Sequence, residues 1–312
     1  LLTGIFPALV TPISQDDTIN THALRELIEF LLDQRADGFY ICGNTGEGML
    51  LTEEERQQVA EATIQQVRGR APVIVHVGAP ATAMAERLAA HAREAGAYAV
   101  ASVPPFYFTV DDQGIEDHYR RIQLAAGLPL YLYNIPDVTR VSLSAGLVSR
   151  LLSEGRPLGL KYTSYDMLSF REILETCGPE LNVFAGPDEM LLPFLLMGAH
   201  GGIGTTYNCM PHLFVELYEA WRNRDIERAR ELQFQIDRVI LVLRDHGVVP
   251  AVKAVMGMLG IDCGAPRRPL RALTAEQSER LGQELRDVGC FDHHPHMPVQ
   301  SPYVSRKQAD GK

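Results

Sequence analysis

Eight short runs rich in Val, Ile, Ala, Tyr and Gly alternate along this chain with longer stretches whose apolar residues recur every three to four positions. The runs are Gly4–Val10, Gly38–Cys42, Pro72–Val77, Tyr98–Val103, Pro129–Tyr133, Leu158–Lys161, Asn182–Ala185 and Gly201–Gly204. Between them, Leu24, Leu27, Ile28, Leu31 and Leu32 mark one amphipathic helix over Thr21–Gln34. Thr52 with Glu55 resembles a capping box opening a second helix through about Val67, and Thr109-Val110-Asp111 opens another. Three helix exits repeat small residues: Arg35-Ala36-Asp37-Gly38, Glu94-Ala95-Gly96-Ala97 and Gly198-Ala199-His200-Gly201. Such exits turn the chain at once into a buried strand. A strand that is always followed by a helix pairs in parallel with its successor, and eight such units close into a (βα)8 TIM barrel. An open doubly wound sheet is the competing architecture, but the GxGxxG that a dinucleotide-binding fold carries after its first strand is absent.

The alternation ends near Asn223, so residues 1–223 are assigned to the barrel. Helical spacing over Asp225–Leu243, Val249–Leu259 and Ala275–Val288 predicts a C-terminal helical subdomain over 224–290, with Pro266 and Pro269 separating its last two helices. Residues 291–312 are polar and proline-bearing and are expected to be a disordered tail; His293, His294 and His296 read as part of it rather than as metal ligands. The net charge of −10, with no Lys/Arg run of five, speaks against nucleic acid as a partner. The apolar stretch Met190–Ala199 is about half the length of a membrane-spanning helix, so no membrane partner is expected. The N-terminal residues read as a strand and not as a signal peptide. Five scattered cysteines without CxxC suggest neither a disulfide framework nor a zinc site, and the chain is expected in the cytoplasm.

In a (βα)8 barrel the reacting groups sit at the C-terminal ends of the strands. Lys161 ends the sixth run, where burial would lower its pKa and leave a neutral amine able to form an imine with a ketone. It could equally cap the barrel, paired with Asp188 or Glu189. Tyr133 ends the adjacent strand, as a proton-shuttling phenol or a core aromatic. Gly43-Asn44-Thr45-Gly46-Glu47 follows the second strand; its glycines permit a nest of backbone N–H groups that holds a carboxylate, or simply a tight turn. His76 has no companion at metal-ligand spacing, which disfavours a metal-dependent aldolase. Gly198–Gly204 has no accompanying Lys or Arg, which disfavours phosphate binding.

GNTGE after the second strand, YNIP after the fifth and GLK at the end of the sixth resemble the pyruvate-dependent class I aldolase superfamily of dihydrodipicolinate synthase and N-acetylneuraminate lyase. The resemblance runs from about Gly4 to about Val288. It implies a homotetramer built from two tight dimers, without metal or organic cofactor, the substrate being held as an imine on Lys161. It further implies that Tyr133 is the proton shuttle, that Asn44 and Thr45 cradle the pyruvate carboxylate, with Thr45 among the catalytic residues, and that Tyr107 reaches into a neighbouring subunit's site.

Val138 stands where the synthases carry the arginine that binds their aldehyde partner's carboxylate. Gly186-Pro187-Asp188-Glu189, Thr205 within Gly202–Asn208, and Thr163 instead look like the neuraminate lyase subgroup, where they bind a polyhydroxyl tail. Two residues depart from the pattern: Asn44 replaces the usual Ser or Thr, and Arg140 replaces a glycine. The resemblance thus implies a lyase that cleaves N-acetylneuraminate or a 2-keto-3-deoxy sugar acid to pyruvate and an aldehyde. The alternatives are a synthase-like condensation, a dehydratase that keeps the imine, and a non-catalytic keto-acid-binding barrel.

Overall fold

A computed structural model describes residues 1–155 and 158–291. Its strands are β1 (Gly4–Pro7), β2 (Phe39–Ile41), β3 (Val73–His76), β4 (Ala99–Ser102), β5 (Leu130–Asn134), β6 (Leu158–Tyr162), β7 (Asn182–Ala185) and β8 (Gly201–Gly204). They form one parallel sheet in the order β1-β8-β7-β6-β5-β4-β3-β2. A parallel bridge between Ala8 and Tyr40, with Leu9 N–H donating to the Tyr40 carbonyl at 2.9 Å, joins β1 to β2 and closes the barrel.

The strands are shorter than their apolar runs where the chain must turn. In the run Gly4–Val10 the regular strand ends at Pro7 and the sheet bonding at Leu9, because Val10 N–H bonds to Asn208 Oδ1 at 3.3 Å rather than to a strand. Cys42 leaves β2 in the left-handed conformation, with φ at 58°. Around the barrel run α1 (Thr21–Asp33), α2 (Glu53–Val67), α3 (Thr82–Ala95), α4 (Asp112–Ala126), α5 (Pro136–Thr139), α6 (Ala145–Leu152), α7 (Met167–Cys177), α8 (Leu191–Leu196) and α9 (Pro211–Arg222). The capping box of α2 is complete: Glu55 N–H donates to Thr52 Oγ1 at 3.2 Å, and Thr52 N–H to Glu55 Oε2 at 2.8 Å. Asp111 caps α4 by accepting from Gly114 N–H at 2.9 Å.

Strand alternation divides the core in two. Phe6, Tyr40, Ile74, Ala101, Tyr133, Phe184 and Ile203 point inward and fill the barrel. Their neighbours Ile5, Phe39, Val75, Val100, Leu132, Leu160 and Val183 point outward against the helices. Gly159 and Lys161 lie directly opposite Tyr131 and Tyr133 in the β5–β6 register, so Lys161 shares the inward face. A Cβ on Gly159 would lie 2.3 Å from the Tyr131 ring, so the ring fills the space the glycine leaves.

After the barrel come α10 (Ile226–Asp245), α11 (Val248–Met258) and α12 (Ala275–Asp287), with α10 packed on α8, α9, α11 and α12. Of the expected tail, Phe291 packs half-buried against the core. Residues 292–312, with His293, His294 and His296, lie outside the described residues. No described helix is long and apolar enough to cross a membrane.

Candidate active site

Lys161, one residue before the end of β6, has only 4% of its surface exposed. Its Nζ sits 4.3 Å from the ring centroid of Tyr133 and 4.3 Å from that of Tyr40. Two ring faces solvate the ammonium by cation–π attraction but cannot replace water. Burial therefore pulls the Lys161 pKa down to about 7, against the opposing field of the Asp188 carboxylate. Among the described residues Lys161 joins no ion pair, unlike the other buried lysine among them, Lys253. The reading in which Lys161 pairs with Asp188 or Glu189 is therefore set aside. Near neutrality much of the Lys161 population is free amine.

Tyr133 is the register partner of Lys161 and is buried. Burial raises its pKa above the ordinary tyrosine value, so the resting phenol is protonated. Thr163 Oγ1 is buried without a hydrogen-bond partner, and so is the Tyr40 hydroxyl. Unpartnered buried hydroxyls are costly, and two of them around one buried amine mark a place for a polar ligand. Gly186 makes room for this arrangement: a Cβ there would lie 1.8 Å from Thr163 Oγ1.

The loop after β2 forms by a different means from the one its glycines suggested. Its left-handed residues are Cys42 and Glu47, with φ of 58° and 56°, whereas Gly43 and Gly46 have ordinary φ. Glycine is needed at 43 because a Cβ would lie 2.5 Å from the Tyr40 ring. Within the loop, Glu47 N–H donates to the Asn44 carbonyl at 3.1 Å and Gly48 N–H to the Gly43 carbonyl at 3.0 Å. No acceptor among the described residues takes the N–H groups of Asn44 and Thr45. Thr45 is buried, and its hydroxyl meets that of Thr205 at 2.6 Å, tying the β2 and β8 loops together. The Asn44 side chain is exposed.

Asp188 follows β7 and is buried. Burial raises its pKa to about 6, while Thr206, through its hydroxyl and its N–H at 2.7 Å each, favours the carboxylate. A Cβ on Gly204 would lie 2.2 Å from Asp188 Oδ1, so β8 needs glycine there to admit the carboxylate. Glu189 lies nearer the surface and accepts a hydrogen bond from the Tyr165 hydroxyl. Tyr107 does not join this cluster. It is 89% exposed, with φ at 77°, and its ring packs edge-on against the exposed Phe108. Arg140 is exposed as the left-handed cap of α5.

His76 is held as a core group. Its Nε2 accepts from Val103 N–H at 3.3 Å, which places the proton on Nδ1, directed at the Cys42 carbonyl 3.2 Å away. Burial and the nearby Arg56 charge keep it neutral. No group of three potential metal ligands occurs among the described residues.

The model of the Dihydrodipicolinate synthetase family matches residues 1–288. The chain belongs to this family. It is 40% identical to the N-acetylneuraminate lyase of Rhizobium meliloti (strain 1021), covering 92% of this chain and 95% of that protein. It is 34% identical to the 4-hydroxy-tetrahydrodipicolinate synthase of Methanopyrus kandleri, covering 92% and 97%. The solved structure of Proteus mirabilis N-acetylneuraminate lyase superposes with a TM-score of 0.87 at 30% identity, over 92% of this chain and 98% of that one. Members of the family are pyruvate-dependent lyases, and this chain is such an enzyme, similar to proteins named neuraminate lyases and to synthases.

Sequence reasoning missed Tyr40, the second ring on the Lys161 amine. Its signal was present: strand alternation places residue 40 inward while Phe39 and Ile41 face the helices. What could not be read was that β2, four strands away from β6 in the sheet order, sends its ring across the barrel to Lys161.

Proposed function

We propose that the enzyme is a Schiff-base aldolase that cleaves a polyhydroxylated 2-keto sugar acid to pyruvate and an aldehyde, with Lys161 as nucleophile. The observation that carries this reading is the Lys161 amine, buried between Tyr40 and Tyr133 and held near neutrality. The free amine adds to the C2 ketone. The Tyr133 phenol gives its proton to the carbinolamine oxygen, which leaves as water, and a protonated imine and a phenolate remain. The phenolate then takes the proton from the C4 hydroxyl. The C3–C4 electron pair moves into the imine as the bond breaks, leaving an aldehyde and the enamine of pyruvate. Protonation at C3 and hydrolysis release pyruvate and regenerate the amine.

The N–H groups of Asn44 and Thr45 hold the substrate carboxylate, which suits a site without a basic side chain for that purpose. Thr163, Gly186, Asp188, Glu189 and Thr205 bind the hydroxyl tail, with Asp188 and Glu189 as acceptors. The acidic pair and the absence of an arginine at Val138 favour a polyol over an anionic aldehyde partner. A homotetramer accounts for the large apolar side chains left exposed in one chain. Tyr107 and Phe108 lie on one loop, and Leu168, Leu196 and Phe234 lie on α7, α8 and α10. Tyr107 would enter the partner's site. All five cysteines are free, which suits a reducing cytoplasm.

Borohydride reduction in the presence of pyruvate, followed by intact mass and peptide mapping, tests the reading. A pyruvyl adduct on Lys161 is expected, and loss of both adduct and turnover in Lys161→Ala. Retained turnover in that variant would overturn the mechanism. Product analysis then separates cleavage, which gives two products, from dehydration, which gives one unbroken keto acid.

A further inference from the structure

Glu47 closes the loop after β2 with its side chain wholly inaccessible. Its Oε1 lies 2.5 Å from Lys253 Nζ on α11, itself 1% exposed, and its Oε2 accepts from Arg267 N–H at 2.5 Å. Lys253 Nζ also donates to the Ala265 carbonyl at 3.1 Å. Both partners of this carboxylate come from the C-terminal segment, more than two hundred residues along the chain. The same segment is stitched to the barrel mouth elsewhere: Ile13 N–H donates to the Cys263 carbonyl at 3.1 Å, and the Arg267 guanidinium reaches Glu55 at 2.5 Å. From the barrel side, Thr11 Oγ1 donates to the Gly46 carbonyl at 2.7 Å. No bond or ion pair links Glu47 or Lys253 to Lys161, and the proposed reaction does not use either group.

A buried ion pair is a poor way to gain stability, because apolar residues of similar volume serve as well or better. What this pair supplies is geometry. Glu47 is a non-glycine residue at positive φ, a conformation that persists only where its surroundings over-determine it. Its own N–H bonds to the Asn44 carbonyl, so the orientation of Glu47 is passed directly to the residues that present their N–H groups.

We propose that Glu47 and Lys253 are positioning residues through which the C-terminal helices aim the Asn44 and Thr45 amides at the substrate carboxylate. The inference rests on the keto-acid reading of the Lys161 site and extends it to the role of α11. It requires loss of the pair to weaken binding of ketones that carry a carboxylate while leaving the amine chemistry intact.

Borohydride trapping at Lys161 with two ketones tests this, pyruvate with its carboxylate and acetone without one. In the double variant Glu47→Gln/Lys253→Met, which leaves no unpaired buried charge, half-saturating pyruvate should rise about tenfold or more, as for one mis-aimed hydrogen bond to a charged group. Trapping by acetone should stay within about twofold of the wild type, since it makes no use of the cradle. If the double variant does not fold, single Glu47→Gln, which keeps an acceptor for Arg267 N–H, is read by the same ratio. A folded variant with unchanged pyruvate saturation overturns the proposal, as does an equal loss for both ketones. Failure of the wild type to trap pyruvate would remove the keto-acid reading and this inference with it, a result distinguishable from both.

Discussion

Replacing Lys161 with methionine should abolish imine formation and at the same time make the protein more stable, by an amount that depends on pH. The Lys161 pKa is 10.5 in the unfolded chain and about 7 in the barrel. At about 1.4 kcal/mol per tenfold change in proton affinity, the buried ammonium costs the fold about 5 kcal/mol below pH 7. The sign follows from proton counting. Between pH 7 and 10.5 the unfolded chain holds a proton on this lysine that the folded chain has released, so wild-type stability rises with pH across that window. The cost falls to about 2 kcal/mol at pH 9 and vanishes near pH 10.5. Methionine fills nearly the same volume between the Tyr40 and Tyr133 rings without a charge. It also removes the cation that favours the Asp188 carboxylate, which returns part of the gain. We therefore expect Lys161→Met to exceed the wild type by about 2 to 5 kcal/mol at pH 6, with the gap closing steadily towards pH 10. Urea unfolding of both proteins at fixed protein concentration, at pH 6, 7, 8 and 9, measures the gap directly. A gap that does not change with pH, or a wild type that is the more stable at pH 6, would refute the account of a lysine held near neutrality by burial.

Four further outcomes follow from the same geometry. Tyr133→Phe should slow turnover by on the order of a hundredfold, because the proton shuttle is lost, while prolonged borohydride reduction still labels Lys161; unchanged turnover would remove Tyr133 from the mechanism. The rate of imine formation with pyruvate should rise with pH through about 7 and then level off. In Asp188→Asn that midpoint should move lower, because the carboxylate that favours the ammonium is gone; a midpoint moving upward would show that Asp188 does not act on the amine. Gly186→Ala sets a methyl group against Thr163 Oγ1 and should cost about 1 to 3 kcal/mol of stability and raise KM, checked by thermal melts and steady-state kinetics.

Much of the site was legible because a barrel converts strand order into position. Lys161 and Tyr133 stand one residue from the ends of consecutive strands, so their meeting at one mouth followed from alternation and parallel pairing alone. The contact of Thr205 with Thr45 was not read in advance: Thr205 was singled out by resemblance alone, and only the closed sheet, in which β1 adjoins both β2 and β8, brings the two hydroxyls together. The glycines of the β2 loop were legible as a nest or a tight turn, but not in the role they have. The steric role of Gly43 depends on the Tyr40 ring, and the left-handed positions fall on Cys42 and Glu47, two residue types with no marked preference for that conformation. Tyr107 was assigned to a site by family resemblance, and one chain leaves it exposed.

The sequence by itself determined the architecture and the order of the groups around the mouth. Hydrophobic periodicity, helix caps and turn residues are local signals, and eight repetitions of them admit few topologies. The tertiary structure alone decided the chemistry. The proton affinity of Lys161 depends on how thoroughly Tyr40, Tyr133 and the barrel wall exclude water from one nitrogen, and on an Asp188 carboxylate twenty-seven positions away. Desolvation and Coulomb fields act through space, between residues that no spacing rule connects. The hold of Lys253 on Glu47 is of the same kind, made only when the last helices fold back against the mouth they follow.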